Sequence, residues 1–263
     1  MSVKTFWESC VSLMYPDRCL MCGNVLGHSK SQFCLCPDCA KKSIFLDEVP
    51  TCRICGLPLK EEGARLCLTC QTHVHDFDRA VSCFAYKGRS RQAVLRYKFS
   101  DRRELCRPFA ALMLARLQPF IHNMQFDAVL CAPLSMNRFR QRGYNQSGLL
   151  AERIAKALDL PFWKDAFEKP VETPKQSSLH YADRLRNVRR AFRLSVPRKA
   201  IEGKRFILID DIITTGATAD ALSGLLKHAG AAYVLVATIA VTEHKPQEGE
   251  TEAASDEAAS IIF

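Results

Sequence analysis

The chain has 263 residues, 48% of them hydrophobic and 25% charged, with a formal net charge of +9. That length holds one medium domain and a smaller unit, and the composition is that of a folded soluble protein. No apolar run approaches the ~20 residues that cross a bilayer. In Met1–Tyr15, Lys4 and Glu8 interrupt what would be a signal-peptide core, so a cytoplasmic location is expected, and cysteines in such a chain argue for metal or reduced thiols against a disulfide scaffold.

Cysteine organises the first quarter of the chain. Eight of the 13 cysteines form four C-x-x-C pairs: Cys19/Cys22, Cys36/Cys39, Cys52/Cys55 and Cys67/Cys70. Two intervening residues let one tight knuckle aim both sulfurs at one ion, and two knuckles complete the closed four-thiolate arrangement of structural zinc. Gly23 and Gly56 follow two of the pairs, where positive φ costs glycine little. In chain order the pairs make two zinc sites, with thirteen residues between the knuckles of the first and eleven in the second. A single C-x-x-C is equally a redox motif, but four in succession outside a βαβ pattern point to metal. Cys34 offers an alternative ligand beside the first site. Cys10, Cys83, Cys106 and Cys131 are expected as core thiols. His28, His73 and His75 are expected in surface or turn roles, with a spare-ligand role as the alternative. Zinc would supply much of the folding free energy of so short a segment. Such ribbons either present a basic surface to nucleic acid or brace a neighbouring domain, and both readings stand.

From Phe77 the pattern becomes that of alternating strands and helices. Ala80–Tyr86 reads as a strand, Lys87-Gly88 as a turn, and Ser90–Phe99 and Glu104–Ile121 as helices, the second with Leu105, Phe109, Leu112 and Leu117 on one face. Asp127–Pro133 is a second buried strand, Asn145–Leu158 the next helix and Asp183–Arg190 a short basic one. A strand beginning at Arg205, a helix over Gly216–Ala229 and a strand over Tyr233–Val241 complete the series. The alternation implies a mainly parallel sheet with helices on both faces. The expected organisation is an N-terminal segment and double zinc ribbon over residues 1–76, an α/β domain over 77–242, and an acidic, disordered tail over 243–263. Six acidic residues and one lysine give that tail −5, so residues 1–242 carry +14, which favours phosphate-rich partners.

Three segments of the α/β domain carry candidate chemistry. Leu134–Gln146 follows a strand as a loop with Arg138, Arg140 and Arg142 at alternate positions; guanidinium groups bind phosphate oxygens bidentately, so it reads as a pyrophosphate holder or as a basic surface loop. Thr173–Leu179, followed by Arg184, Arg186 and Asn187, reads as a lid or as a solvated linker, with Lys175 or Arg184 placed to neutralise a departing pyrophosphate. The third runs R-F-I-L-I-D-D-I-I-T-T-G-A-T over Arg205–Thr218: an apolar strand, then Asp210 and Asp211 at its C-terminal end, where open α/β sheets bind ligands. Thr214, Thr215, Gly216, Ala217 and Thr218 then supply hydroxyls, free backbone N–H groups and the start of a helix, a phosphate cradle.

This last segment resembles the phosphoribosyl-pyrophosphate (PRPP) motif of the type I phosphoribosyltransferases. The resemblance implies that the acidic pair contacts ribose hydroxyls and that the loop holds the 5′-phosphate. The paired C-x-x-C ribbons, A-P-L-x-x-x-R-x-R-x-R-G-Y-N-Q, T-P-x-Q-S-x-L…R-x-x-N-V-x-x-A-F and I-D-D-I-I-T-T-G-A-T together resemble the ComF family over nearly the whole chain up to Val241. Lys175 stands where the family pattern usually has a second proline. The resemblance implies a cytosolic bacterial protein with a type I phosphoribosyltransferase-like α/β fold behind a double zinc ribbon, linked to DNA uptake in natural transformation. It also implies PRPP or a related ribose phosphate as ligand, with Mg²⁺ carried mainly by the ligand's oxygens. The acceptor of any phosphoribosyl group is not implied. The alternative is a non-catalytic protein of the transformation machinery that binds single-stranded DNA or DNA-uptake proteins, with Tyr97 and Phe139 stacking on bases if they are not simply packed.

Overall fold

The computed structural model describes residues 16–26, 33–43, 45–46, 48–61, 63–170 and 191–242. The expected lid with Lys175, the basic helix with Arg184, His28, Cys10 and the acidic tail lie outside the described residues.

Two short helices belong to the cysteine-rich part. α1 (Pro37–Lys42) begins after Cys36 and α2 (Leu68–Thr72) after Cys67, which places Cys39 and Cys70 one turn on from the cysteine that starts each helix. Strand β1 (Arg79–Ala85) follows, then α3 (Gly88–Phe99), α4 (Cys106–Ile121), β2 (Ala128–Cys131), α5 (Met136–Arg142) and α6 (Gln146–Leu158). The two-residue strands β3 (Phe167–Glu168) and β4 (Arg193–Leu194) pair antiparallel. After α7 (Arg198–Ile201) come β5 (Arg205–Ile209), β6 (Ile212–Ile213), α8 (Ala217–His228) and β7 (Tyr233–Val241). The main sheet has the order β1-β7-β5-β2, with every pair parallel, and β6 continues beside β7 past the end of β5.

Alternation along the strands builds two cores. Ile207 and Ile209 of β5 join Val129, Cys131, Leu235 and Ala237 on the face covered by α3, α4 and α6. Phe206 and Leu208 join Ala128, Leu130, Val234 and Val236 on the face covered by α8. β5 is therefore buried on both sides, as its unbroken apolar run requires. The helices expected from periodicity over the described residues are present, and Leu105, Phe109, Leu112 and Leu117 are all buried. The segment after β2, expected as a loop, instead contains α5, closed by Gly143 in the left-handed conformation.

The ribbons are packed into these same cores. Cys19, Leu20, Met21, Leu35 and Cys39 lie with α3 and α4, and the Arg96 guanidinium of α3 donates to the carbonyls of Leu20 (2.9 Å) and Met21 (2.7 Å). Cys52, Cys55, Cys67 and Cys70 belong to the core on the opposite face of the sheet. Of the histidines expected in surface or turn roles, His75 instead has a buried side chain, 3% exposed.

Gly56 sets how closely the second ribbon approaches the sheet. Its φ is +73°, and a Cβ there would stand 2.8 Å from the carbonyl oxygen of Ala80, whose own N–H donates to the Ile54 carbonyl at 2.6 Å. Gly56→Ala should lower the unfolding free energy of the zinc-loaded protein by about 1–3 kcal/mol in denaturant titration. An unchanged midpoint would mean that ribbon and strand separate without cost.

Candidate functional site at the carboxyl edge of the sheet

β5 ends at Ile209, and the next two residues carry carboxylates out of the core. Asp210 is held from below: its Oδ1 accepts from the Ser147 hydroxyl in the first turn of α6 (3.1 Å) and from the backbone N–H of Asp211 (2.8 Å). Asp211 faces a cation, with Lys98 Nζ of α3 at 2.8 Å from its Oδ1; the two side chains are 14% and 16% exposed. Burial, reinforced by the Asp211 charge, pushes the Asp210 carboxyl up to about 7, against the lowering effect of the Asp211 N–H, Lys98 and Ser147. The two carboxylates thus differ in kind. Asp211 is already ion-paired, and Asp210 is a buried carboxyl whose ionised form is disfavoured.

The loop expected as an anion cradle lies beyond β6. Thr214 is exposed, Thr215 and Thr218 are partly exposed, and Gly216 and Ala217 are buried. Gly216 has φ +80°, the left-handed conformation that lets the chain turn into α8, and Thr215 Oγ1 accepts from the Ala217 N–H at 3.3 Å. The backbone N–H groups of the first turn of a twelve-residue helix open on this loop.

The three arginines separate. A helix advances about 100° per residue, so Arg138 and Arg142 share one side of α5 and Arg140 points away from them. Arg138 and Arg140 are exposed, whereas Arg142 is half-buried, stacks over Phe99 at 4.7 Å and donates to Gln146 Oε1 at 3.1 Å. Burial lowers the Arg142 guanidinium from its usual range, and the charge of Asp211 acts in the opposite sense. Arg142 is therefore the member of the trio that senses the acidic pair. Lys98 and Ser147 belong to the site and carry no motif signal: Lys98 reads as one more basic helix residue, and Ser147 as part of a helix start. Asn145 is the visible cue for that start, since its Oδ1 caps α6 by accepting from the Gly148 N–H at 3.2 Å. Tyr97 is fully buried, donating its hydroxyl to the Gln146 carbonyl at 2.8 Å, so packing is its role; Phe139 is 45% exposed.

The cysteines form two clusters, Cys19/Cys22/Cys36/Cys39 and Cys52/Cys55/Cys67/Cys70, with the sulfurs of each within 4.8 Å of one another. A tetrahedron with Zn–S bonds of about 2.3 Å has edges of about 3.8 Å. The Cys22–Cys36 separation is 3.8 Å and Cys55–Cys67 3.5 Å, so both clusters fit zinc. Donors support the first: the Cys36 N–H reaches Cys19 Sγ at 3.4 Å and Arg89 reaches Cys39 Sγ at 2.8 Å. Cys34 is not part of either cluster; its backbone turns with φ +52° and its carbonyl accepts from the Leu20 N–H at 2.7 Å.

Residues 10–72 match the family model for the double zinc ribbon domain. DNA utilization protein YhgH of Salmonella typhimurium is 30% identical over 227 residues, covering 85% of this chain and 96% of that protein. Competence protein ComFC of Streptococcus pneumoniae is 31% identical, covering 81% and 95%. The chain belongs to the ComF family. Competence protein F of Haemophilus influenzae is 29% identical to this ComF-family chain over 83% of its length and 94% of the relative's. Among solved structures, the chain is similar to an adenine phosphoribosyltransferase (19% identity, 55% of this chain and 74% of the other, TM-score 0.35). It is also similar to the glutamine PRPP amidotransferase of B. subtilis (21% identity, 55% and 30%, TM-score 0.37). Among the described residues of this ComF-family protein, no helix is long and apolar enough to cross a membrane.

Two outcomes are expected. Modifying the thiols with an organomercurial should release two zinc ions per chain, and one when Cys52 and Cys55 are serines; a chromophoric chelator counts them. The raised Asp210 carboxyl gives the native state more bound protons than the unfolded chain between pH ~4 and ~7, so this group's contribution to stability falls as pH rises through that window and is flat above it. In urea titrations Asp210→Asn should therefore gain on the wild type by about 2–3 kcal/mol between pH 5 and pH 8. A pH-independent difference would place that proton elsewhere.

Proposed function

We propose that the carboxyl edge of the sheet binds PRPP or a related ribose phosphate with Mg²⁺, and that the protein serves DNA uptake as a phosphoribosyltransferase-like member of its family. The observation that carries this reading is the order of groups along one edge: Asp210 held by Ser147, an Asp211 paired with Lys98, and the Gly216 turn that opens α8. A polyanionic sugar phosphate with its metal supplies positive charge to the acidic pair and negative charge to the helix start, which is the complement of that order. Ribose hydroxyls take the place of Lys98 on Asp211, the 5′-phosphate sits on Thr214–Thr218, and Arg142, with Arg138 on the same side of α5, faces the pyrophosphate. Transfer to a nitrogen acceptor would break the C1–pyrophosphate bond, with metal, arginines, Lys175 and Arg184 neutralising the leaving group. The domain limits that go with this reading are residues 1–76 for the ribbons, 77–242 for the ligand-binding part and 243–263 for an acidic tail, in a cytoplasmic protein.

A second reading rests on a different observation. Phe99 is 65% exposed beneath Arg142, and Phe139 is 45% exposed between two arginines, a surface suited to stacking single-stranded DNA bases in a chain whose first 242 residues carry +14. Salt-dependent binding of an oligonucleotide that weakens when Phe99 and Phe139 become alanine supports it; binding unaffected by both removes it.

The first reading is tested by thermal unfolding. PRPP with Mg²⁺ at a hundredfold excess over its Kd should add about 2.7 kcal/mol to the unfolding free energy, a rise of roughly 5–10 °C in Tm. The combined Asp210→Asn and Asp211→Asn protein should show no rise. A wild type that does not respond to PRPP and Mg²⁺ overturns the proposal.

A further inference from the structure

A third group of metal-ligating side chains joins the second ribbon to the first turn of α8. Just beyond that ribbon's helix α2, His73 and His75 converge on Asp220, and the three ligand atoms lie within 4.8 Å of one another. His75 Nδ1 is 2.9 Å from Asp220 Oδ2, and His73 Nε2 is 3.6 Å from the same oxygen. The His75 and Asp220 side chains are 3% and 1% exposed, while His73 is 27% exposed.

We propose that His73, His75 and Asp220 bind a third divalent transition-metal ion of the zinc type. The ligand chemistry selects the class, because two imidazoles with one carboxylate suit zinc and its neighbours and do not suit Mg²⁺ or Ca²⁺, which take oxygen ligands. Bond lengths of about 2.0–2.1 Å give tetrahedral edges near 3.3–3.4 Å. The 2.9 and 3.6 Å separations fall on either side of that value, and the remaining His73–His75 edge closes as the ion draws the rings in.

The surroundings hold the ligands in place. The Asp76 N–H donates to Asp220 Oδ1 at 3.0 Å, which fixes the carboxylate; His75 Nδ1 lies 3.1 Å from that oxygen and 2.9 Å from Oδ2, the oxygen that also faces His73. The His75 ring stacks on Phe77 with centroids 4.5 Å apart and lies edge-on to His73 at 4.8 Å. A Cβ on Gly216 would meet His75 Cε1 at 3.4 Å, so the site lies directly beneath the turn that opens α8. Three protein ligands leave a fourth position for water on the exposed His73 side. An ion here fastens the second ribbon to α8 through metal–ligand bonds. Without it, a proton on His75 Nδ1 bridges to Asp220 over the same distance, and metal and proton compete for one place.

Thiol chemistry separates this site from the ribbons. Protein already holding its two thiol-bound zinc ions is titrated with Zn²⁺ by calorimetry, and one further equivalent is expected. After mercurial modification that equivalent should remain chelatable in addition to the two released from cysteine. His73→Ala removes the most exposed ligand and should leave the fold intact. It and His75→Gln should each weaken the third equivalent by more than the ~10–100-fold that follows loss of a group merely hydrogen-bonded to a ligand, with the thiol-bound count still two. Failure of the wild type to take up a third equivalent, or uptake that His73→Ala and His75→Gln leave unchanged, overturns the proposal.

Discussion

Burial of β5 on both faces is the constraint from which the site follows. With Phe206, Ile207, Leu208 and Ile209 enclosed between β2 and β7 and between two layers of helices, the first polar side chains after them can appear only at the sheet's end. Asp210 and Asp211 are consecutive residues just past the end of β5, and their side chains find different partners. Asp210 turns back toward the start of α6, where Ser147 and a backbone N–H hold a carboxyl that burial has made a weak acid. Asp211 turns toward α3 and finds Lys98. Two adjacent acids thus acquire separate electrostatic characters from the helices above them.

The ribbons bear on the same edge by another route. Short metal-centred segments have little apolar surface of their own, and here each lends its buried cysteines to one of the two cores of the sheet. The first braces α3, through the guanidinium of Arg96, close to the end that carries Lys98. The second runs on through His73 and His75 to Asp220 in the first turn of α8. Both ribbons are in this way mechanically continuous with the elements that surround the acidic pair.

The sequence makes much of this legible, for reasons that differ by element. The pairing of the eight cysteines follows from spacing, because a C-x-x-C knuckle can turn its sulfurs only inward. The strands and helices follow from period, and Asn145 marks the start of α6 by its capping chemistry. The arginine segment reads as loop and is a helix: M-N-R-F-R-Q-R has no apolar stripe, and α5 is ended by Gly143 rather than announced by a hydrophobic face. His75 reads as surface and its side chain is buried, since two histidines in T-H-V-H-D give no sign that a carboxylate 145 residues beyond the second will cover it.

What the sequence determined alone is whatever rests on near neighbours in the chain: the metal knuckles, the buried run before Asp210, the turn at Gly216 and the order of strands with helices. The tertiary structure decided which charges meet. Lys98 with Asp211, Ser147 with Asp210, and the histidines with Asp220 are pairs between distant segments, brought together when parallel strands align their carboxyl ends and the helices cross above them. Local pattern sets where a side chain can point; only packing sets what it faces.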